Sequence, residues 1–293
     1  QQCLDFAGKL FLDPGDVVLC ESPSYLGALN AFNAYQPKFV EVPTDNGGLI
    51  PEELDKILET TPNCKFIYVI PDFQNPTGRT WSMERRQKFM EVVNKHNLPV
   101  LEDNPYGELR YEGTILPSLK SMDTKGLVMF LGTFSKIFCP GLRLGWIAAE
   151  HSLLSEFVKI KQSADLHTSN FDQGVADAYM EQYDLDEHVK EIVALYKHRR
   201  DLILESMEKY FPAGTEWTHP EGGLFLWLTF PEGVSARKVF NKCIEMKVAG
   251  VIGDAFYPNQ KTDRSMRINY SNMPDDRIVE GIQRMAKAIK ECM

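Results

Sequence analysis

Two cations stand seven residues apart where a chain has little ordinary reason to put them. In GTFSKIFCPGLRLGW, residues 132–146, Lys136 and Arg143 fall between the apolar runs GLVMFL and LGWIAA, each of the kind that becomes a buried strand. A lysine enclosed by apolar neighbours and set beside another cation gives up its proton more readily, and its neutral amine is a nucleophile toward a carbonyl. Arg143, with the hydroxyls of Thr133 and Ser135, offers a planar charge and donors for a phosphate. Asp103, closing the run LPVLED, can hold a pyridine nitrogen protonated and so turn its ring into an electron sink. Asn75, in PDFQNPTG, and Tyr106, in NPYGE, can hydrogen-bond a phenolic oxygen. Each residue also has a plain alternative, such as a loop lysine, a helix-capping aspartate or a turn asparagine. As a set they suit one ligand, a phosphorylated aromatic aldehyde.

These residues can meet only if the elements bring them together. Strand-like runs occur at DVVLCE, KFVEVP, KFIYVI, LPVLED, LVMFLG and LGWIAA. Helical stretches separate most of them, at 26–34, 51–59 and 82–96, the last with an N-cap at Ser82 and Arg85 at the position where a capping box prefers Glu. Short, nearly all-apolar strands alternating with helices predict a mostly parallel sheet covered on both faces. In such sheets ligands bind beyond the carboxyl ends of the strands. Asn75, Asp103, Tyr106, Ser135, Lys136 and Arg143 all follow strand runs and so gather on that edge. After residue 150 the pattern changes to a long helix, DEHVKEIVALYKHRRDLILESMEKYF, with a 3.6-residue apolar period. Strands at GGLFLWLTF and SMRINYS and a final helix from Pro274 to Lys290 follow. The reading is an α/β fold in two domains, a large one over 1–195 and a smaller α+β one over 196–293, divided inside the long helix.

Composition narrows the function. The 293 residues are 43% hydrophobic and 25% charged, with a net charge of −9, which leaves no basic footprint for nucleic acid. No apolar run approaches the roughly 18–20 residues that a membrane span requires, and no signal peptide is visible. Six scattered cysteines without a C-x-x-C read as free thiols in a reducing compartment, hence a cytoplasmic protein. The six histidines form no metal-binding spacing, so no metal is expected. The chain opens on Gln1-Gln2 already inside a helical pattern, with Leu4, Ala7, Leu10 and Phe11 on one face, and we expect its natural beginning to lie upstream.

The motifs NPTG, EDNPYGEL, GTFSKIFCPGLRLGW and MRINYS, in that order, closely resemble the fold-type I, pyridoxal-5'-phosphate-dependent aminotransferases of class I. The resemblance runs the length of the chain, and QNPTGRTWS and LRYEG place it nearest the kynurenine/2-aminoadipate and broad-specificity aromatic branch. It implies that Lys136 forms the Schiff base with the cofactor and then shuttles the substrate's α-proton. It implies that Asp103 pairs with the ring nitrogen, that Asn75 and Tyr106 contact the ring oxygen, and that Tyr25 in SPSYLG stacks on the ring. Ser135 and Arg143 would bind the phosphate, with Thr133 a weaker candidate and Gln1 a further contact at a helix start. Arg267, favoured over Arg264 by strand alternation, would clamp the α-carboxylate of the amino-acid and 2-oxo-acid substrates. A cis Asn75–Pro76 bond and a homodimer are implied as well. Two other functions keep a place: an aminotransferase-like effector domain of a winged-helix transcription regulator, and a β-eliminating lyase on the same scaffold. QNPTG and EDNPYGEL keep the enzyme-like form and count against the regulator.

Overall fold

A computed structural model describes residues 1–259 and 262–293. The first part of the chain forms α1 (Gln2–Phe11), β1 (Val17–Glu21), α2 (Leu26–Asn33), β2 (Lys38–Val42), the short hairpin β3 (Thr44–Asp45) and β4 (Gly48–Leu49), α3 (Pro51–Thr60) and β5 (Cys64–Val69). Next come α4 (Met83–His96), β6 (Val100–Asp103), β7 (Val128–Thr133), β8 (Gly145–Ala148), α5 (His151–Ala164), α6 (Asn170–Gln182) and α7 (Leu185–Tyr210). The remainder is β9 (Glu216–Trp217), β10 (Phe225–Thr229), α8 (Ala236–Glu245), β11 (Val251–Ile252), β12 (Ser265–Asn269) and α9 (Asp275–Glu291).

Among the described residues, six strands form the larger sheet in the order β2-β1-β5-β6-β7-β8. Pairings from β2 to β7 are parallel, while β8 runs antiparallel to β7. The sheet is therefore mostly parallel, with one reversed edge strand. Alternation along each strand feeds two cores. Val17, Leu19, Ile67, Val69, Val100 and Val128 face α3 and α4 with Leu54, Phe89 and Val93. Val18, Phe66, Tyr68, Leu101 and Met129 face α1, α2 and α5 with Leu4, Phe32 and Phe157. The all-apolar strand runs are thus strands buried on both sides.

The helices start where the sequence provides a start. Pro51 opens α3 with Glu52 and Glu53 in its first turn, and Ser82 caps α4 by accepting from the Arg85 N–H at 3.2 Å. Helix α4 ends at Asn97, which takes the left-handed conformation at φ 50°. Between β6 and β7 the chain forms a loop with a single 3₁₀ turn at Lys120–Met122 rather than an α-helix.

A second sheet, in the order β11-β12-β10-β9, is antiparallel and packs on α7, α8 and α9. Helix α7 serves two cores. Leu185, Val189, Ile192 and Tyr196, in its first half, lie against Phe73, Tyr106, Leu109, Ile137 and Phe225. Leu202, Ile203, Leu204 and Met207, in its second half, join the core of the second sheet.

Candidate active site

Strands β2 and β5 leave β1 on opposite sides, so the loops after β1 and β5 diverge and open a crevice at the carboxyl edge of the sheet. The loops after β6 and β7 close its other side. Because β7 and β8 are hydrogen-bonded neighbours, with Thr133 opposite Gly145, the segment 134–144 is a wide hairpin loop that holds Lys136 and Arg143 close together. Thr133 fixes its base: the hydroxyl donates to the Leu144 carbonyl at 3.0 Å, accepts from the Ser135 N–H at 3.1 Å and lies 3.0 Å from the Ser135 hydroxyl. Arg143 adopts the left-handed region at φ 57° and donates to the Pro140 carbonyl at 3.0 Å. Lys136 is half-buried. Burial first, then the charges of Arg143 and Arg267, lower the affinity of its amine for a proton.

At the end of β6 alternation separates two neighbouring acids. Glu102 turns toward α4, and its two oxygens accept from the Leu119 and Lys120 N–H groups at 2.8 Å each. Asp103 turns the other way and accepts from the Tyr68 hydroxyl at 2.7 Å. Burial pushes the Asp103 carboxyl up from the usual carboxylate range, and the Tyr68 hydrogen bond opposes that shift.

Across the crevice, Asn75 is buried, with a cis bond to Pro76. It accepts from Arg267 Nη1 at 2.8 Å and donates to the Tyr106 hydroxyl at 3.4 Å. Arg267 sits on β12, where Met266 and Ile268 point into the second core and Arg267 points the opposite way. Its guanidinium lies 4.2 Å over the Phe225 ring and 5.2 Å over the Phe256 ring, and its buried Nε has no hydrogen-bond partner. Arg264, by contrast, is engaged with the Phe230 carbonyl at 3.1 Å.

Tyr25 stands at the N-terminus of α2, its ring over Gly27, where a β-carbon would come within 2.4 Å of it. Asp103, Arg267 and Arg143 all act on the Tyr25 phenol, whose pKa is raised chiefly by burial. Gln1, at the start of α1, donates to the Gly27 carbonyl at 2.8 Å. Side chains from five separate segments thus converge: Tyr25, Asn75, Asp103 with Tyr106, Lys136 with Arg143, and Arg267. Gln1 stands beside them and is exposed. Sequence reasoning overlooked Tyr68, whose signal was a polar tip in the otherwise aliphatic run FIYVI, and Phe225, which underlies Arg267 from the neighbouring strand.

Comparison with known proteins shows the family of the chain. The profile of the aminotransferase class I and II family matches residues 1–285. Aromatic-amino-acid aminotransferase 1 of Thermococcus litoralis is 43% identical over 297 residues, covering 100% of this chain and 71% of that protein. The crystal structure of Pyrococcus horikoshii kynurenine aminotransferase, in complex with PMP and with kynurenine as substrate, superposes with a TM-score of 0.96 at 42% identity, over 99% of this chain and 73% of that one. The α-aminoadipate aminotransferase of Thermus thermophilus, complexed with N-(5'-phosphopyridoxyl)-L-leucine, gives 0.95 at 34% identity, over 99% and 75% of the two chains. The chain belongs to the class I and II aminotransferases. It is a transaminase of fold-type I.

Proposed function

We propose that this chain uses pyridoxal 5'-phosphate, held through Lys136, to move an amino group from an aromatic amino acid, 2-aminoadipate or a similar donor to a 2-oxo acid. The observation that carries the proposal is the gathering of three cations, with Arg143 and Arg267 both acting on Lys136, beside Tyr25, on which the carboxylate of Asp103 also acts. The residues fit such a cofactor. An excess of positive charge suits a phosphate and a carboxylate, the unpartnered Nε of Arg267 awaits an acceptor, and Tyr25 offers an aromatic face. When bound, the cofactor supplies a carbonyl that an amine can replace and a ring that takes up an electron pair.

The protein's own groups do the rest. Lys136 Nζ, with its reduced proton affinity, takes the proton from the substrate α-carbon and returns it on the other side of the transfer. Asp103 holds the proton of the ring nitrogen, and Asn75 and Tyr106 hydrogen-bond the ring oxygen. Ser135 and Arg143, with Thr133 and Gln1 nearby, hold the phosphate, and Tyr25 stacks on the ring. Arg267 pairs with the substrate carboxylate, and Asn75 fixes the fork of its guanidinium.

A homodimer belongs to the same reading, supported by apolar side chains left at the surface on and around α6. Phe171 is 79% exposed, Leu166 72% and Tyr183 62%, far beyond what a solvent-facing helix needs. The cytoplasm is proposed as its compartment on the strength of six unbridged thiols. The decisive experiment adds pyridoxal phosphate to the purified protein and to Lys136→Ala, then records visible spectra before and after glutamate, 2-aminoadipate or kynurenine. A lysine-dependent band that an amino acid converts supports the proposal and ranks the donors. A band that forms and never converts points to a ligand-sensing domain, and no band at all defeats the cofactor assignment.

A further inference from the structure

Glu21, the last residue of β1, is 1% exposed and belongs to no part of the chemistry described above. Its carboxylate nevertheless reaches the 70–81 loop at three separated points. Oε2 accepts from the Ile70 N–H at 3.1 Å, where the loop begins, and from Gln74 Nε2 at 3.5 Å, next to its tip. Oε1 accepts from the Trp81 indole N–H at 3.2 Å, where the loop ends. Gln74 carries the grip onward: it donates to the Pro23 carbonyl at 2.8 Å and accepts from the Thr77 N–H at 2.9 Å and the Thr77 hydroxyl at 2.6 Å. The residue inside that strapped turn is Asn75, whose amide accepts from Arg267.

We propose that Glu21 is a positioning residue for Asn75 and, through it, for Arg267, and that ionisation of this one buried carboxylate sets how firmly the substrate-carboxylate site is held. The inference rests on the function proposed above. Every group within hydrogen-bond reach of Glu21 is a donor, so only the carboxylate satisfies all of them; a protonated oxygen would face an N–H with nothing to accept it. Burial pushes the Glu21 pKa up to about 7, against the three hydrogen bonds and the charge of Arg79. Arg79 is the charged group that faces it from the loop. Asp45 and Tyr257 face Arg79, and Glu41 on β2 bears on the neighbouring Cys20.

The test uses the full chain loaded with pyridoxal phosphate. The indole N–H resonance of Trp81, assigned with Trp81→Phe, should titrate with a midpoint near neutrality in the wild type and stay still in Glu21→Gln. The KM for 2-aminoadipate or glutamate should rise below pH 7 in the wild type. In Glu21→Gln it should be raised roughly tenfold at every pH and no longer rise below pH 7, as expected when an oriented hydrogen bond for ground-state binding is lost. Gln74→Ala keeps the carboxylate and cuts its link to the tip. It should raise KM similarly while Trp81 still titrates, and it serves if Glu21→Gln does not fold. A Trp81 signal that ignores pH in the wild type, or a wild-type KM in Gln74→Ala, overturns the proposal. A wild type that loads cofactor and never transaminates overturns the proposed function instead, and the Trp81 titration then stands as a separate result.

Discussion

At the scale of single residues, the groups with the plainest chemistry were legible and their supports were not. Lys136, Asp103 and Asn75 sit in short motifs at the ends of strand runs, where their types suggest a role, and Arg267 is picked out by alternation within its strand. Tyr68 was hidden because a tyrosine in a buried strand reads as core, and only the fold reveals its hydroxyl 2.7 Å from Asp103. The hydroxyl stabilises the charged form of that acid. Tyr68→Phe should therefore push the Asp103 carboxyl further up, and the acid limb of kcat/KM should move to higher pH in a pH–rate profile. Arg143 carries a different burden, an L-residue held at φ 57°. Arg143→Gly should relieve about 1 kcal/mol of backbone strain while deleting the proposed phosphate ligand. Melting temperature should rise as affinity for pyridoxal phosphate falls, and a variant in which both fall would refute that division.

At the scale of elements, existence was readable and direction was not. GLVMFL and LGWIAA look alike as runs, yet β8 reverses against β7. The clue lay in the connection: eleven residues, 134–144, fall short of the dozen or more that a parallel crossover takes. The 104–127 segment is long enough for a helix, yet it reaches across to the loop before β10, where Arg110 bridges Gly222. Two substitutions test how the elements are fixed. Asp184 caps α7 by accepting from the Asp186 and Glu187 N–H groups, and Asp184→Ala should cost about 1 kcal/mol in urea unfolding. Arg86 is fully buried, 2.7 Å from Asp72, and Arg86→Leu leaves that carboxylate with only the 3.5 Å contact to Arg110. A loss of roughly 3 kcal/mol is expected, far more than any surface ion pair of this chain would show.

At the scale of the molecule, the buried acids govern how stability follows pH. Glu21 and Glu102 are both pushed up to about 7 from an ordinary value of 4.5. Between those values the folded chain binds protons that the unfolded chain has released, so their contribution to stability is greatest at acid pH and is lost as pH rises toward 7. Carboxylates held low, such as Asp45 and Asp123, act in the opposite sense and only at lower pH. Melting temperature should therefore decline between about pH 5 and pH 7.5. Flat behaviour over that window would contradict the burial of these acids.

The placement of Lys136 between two cations from two different sheets has a consequence for timing. Arg143 shares its loop and exerts a constant field, whereas Arg267 belongs to β12. On the proposed reading, the cofactor's phosphate already offsets the first field, and an arriving carboxylate cancels the second. The amine then becomes a stronger base when a substrate is in place, so the ligand itself cocks the trigger that acts on it.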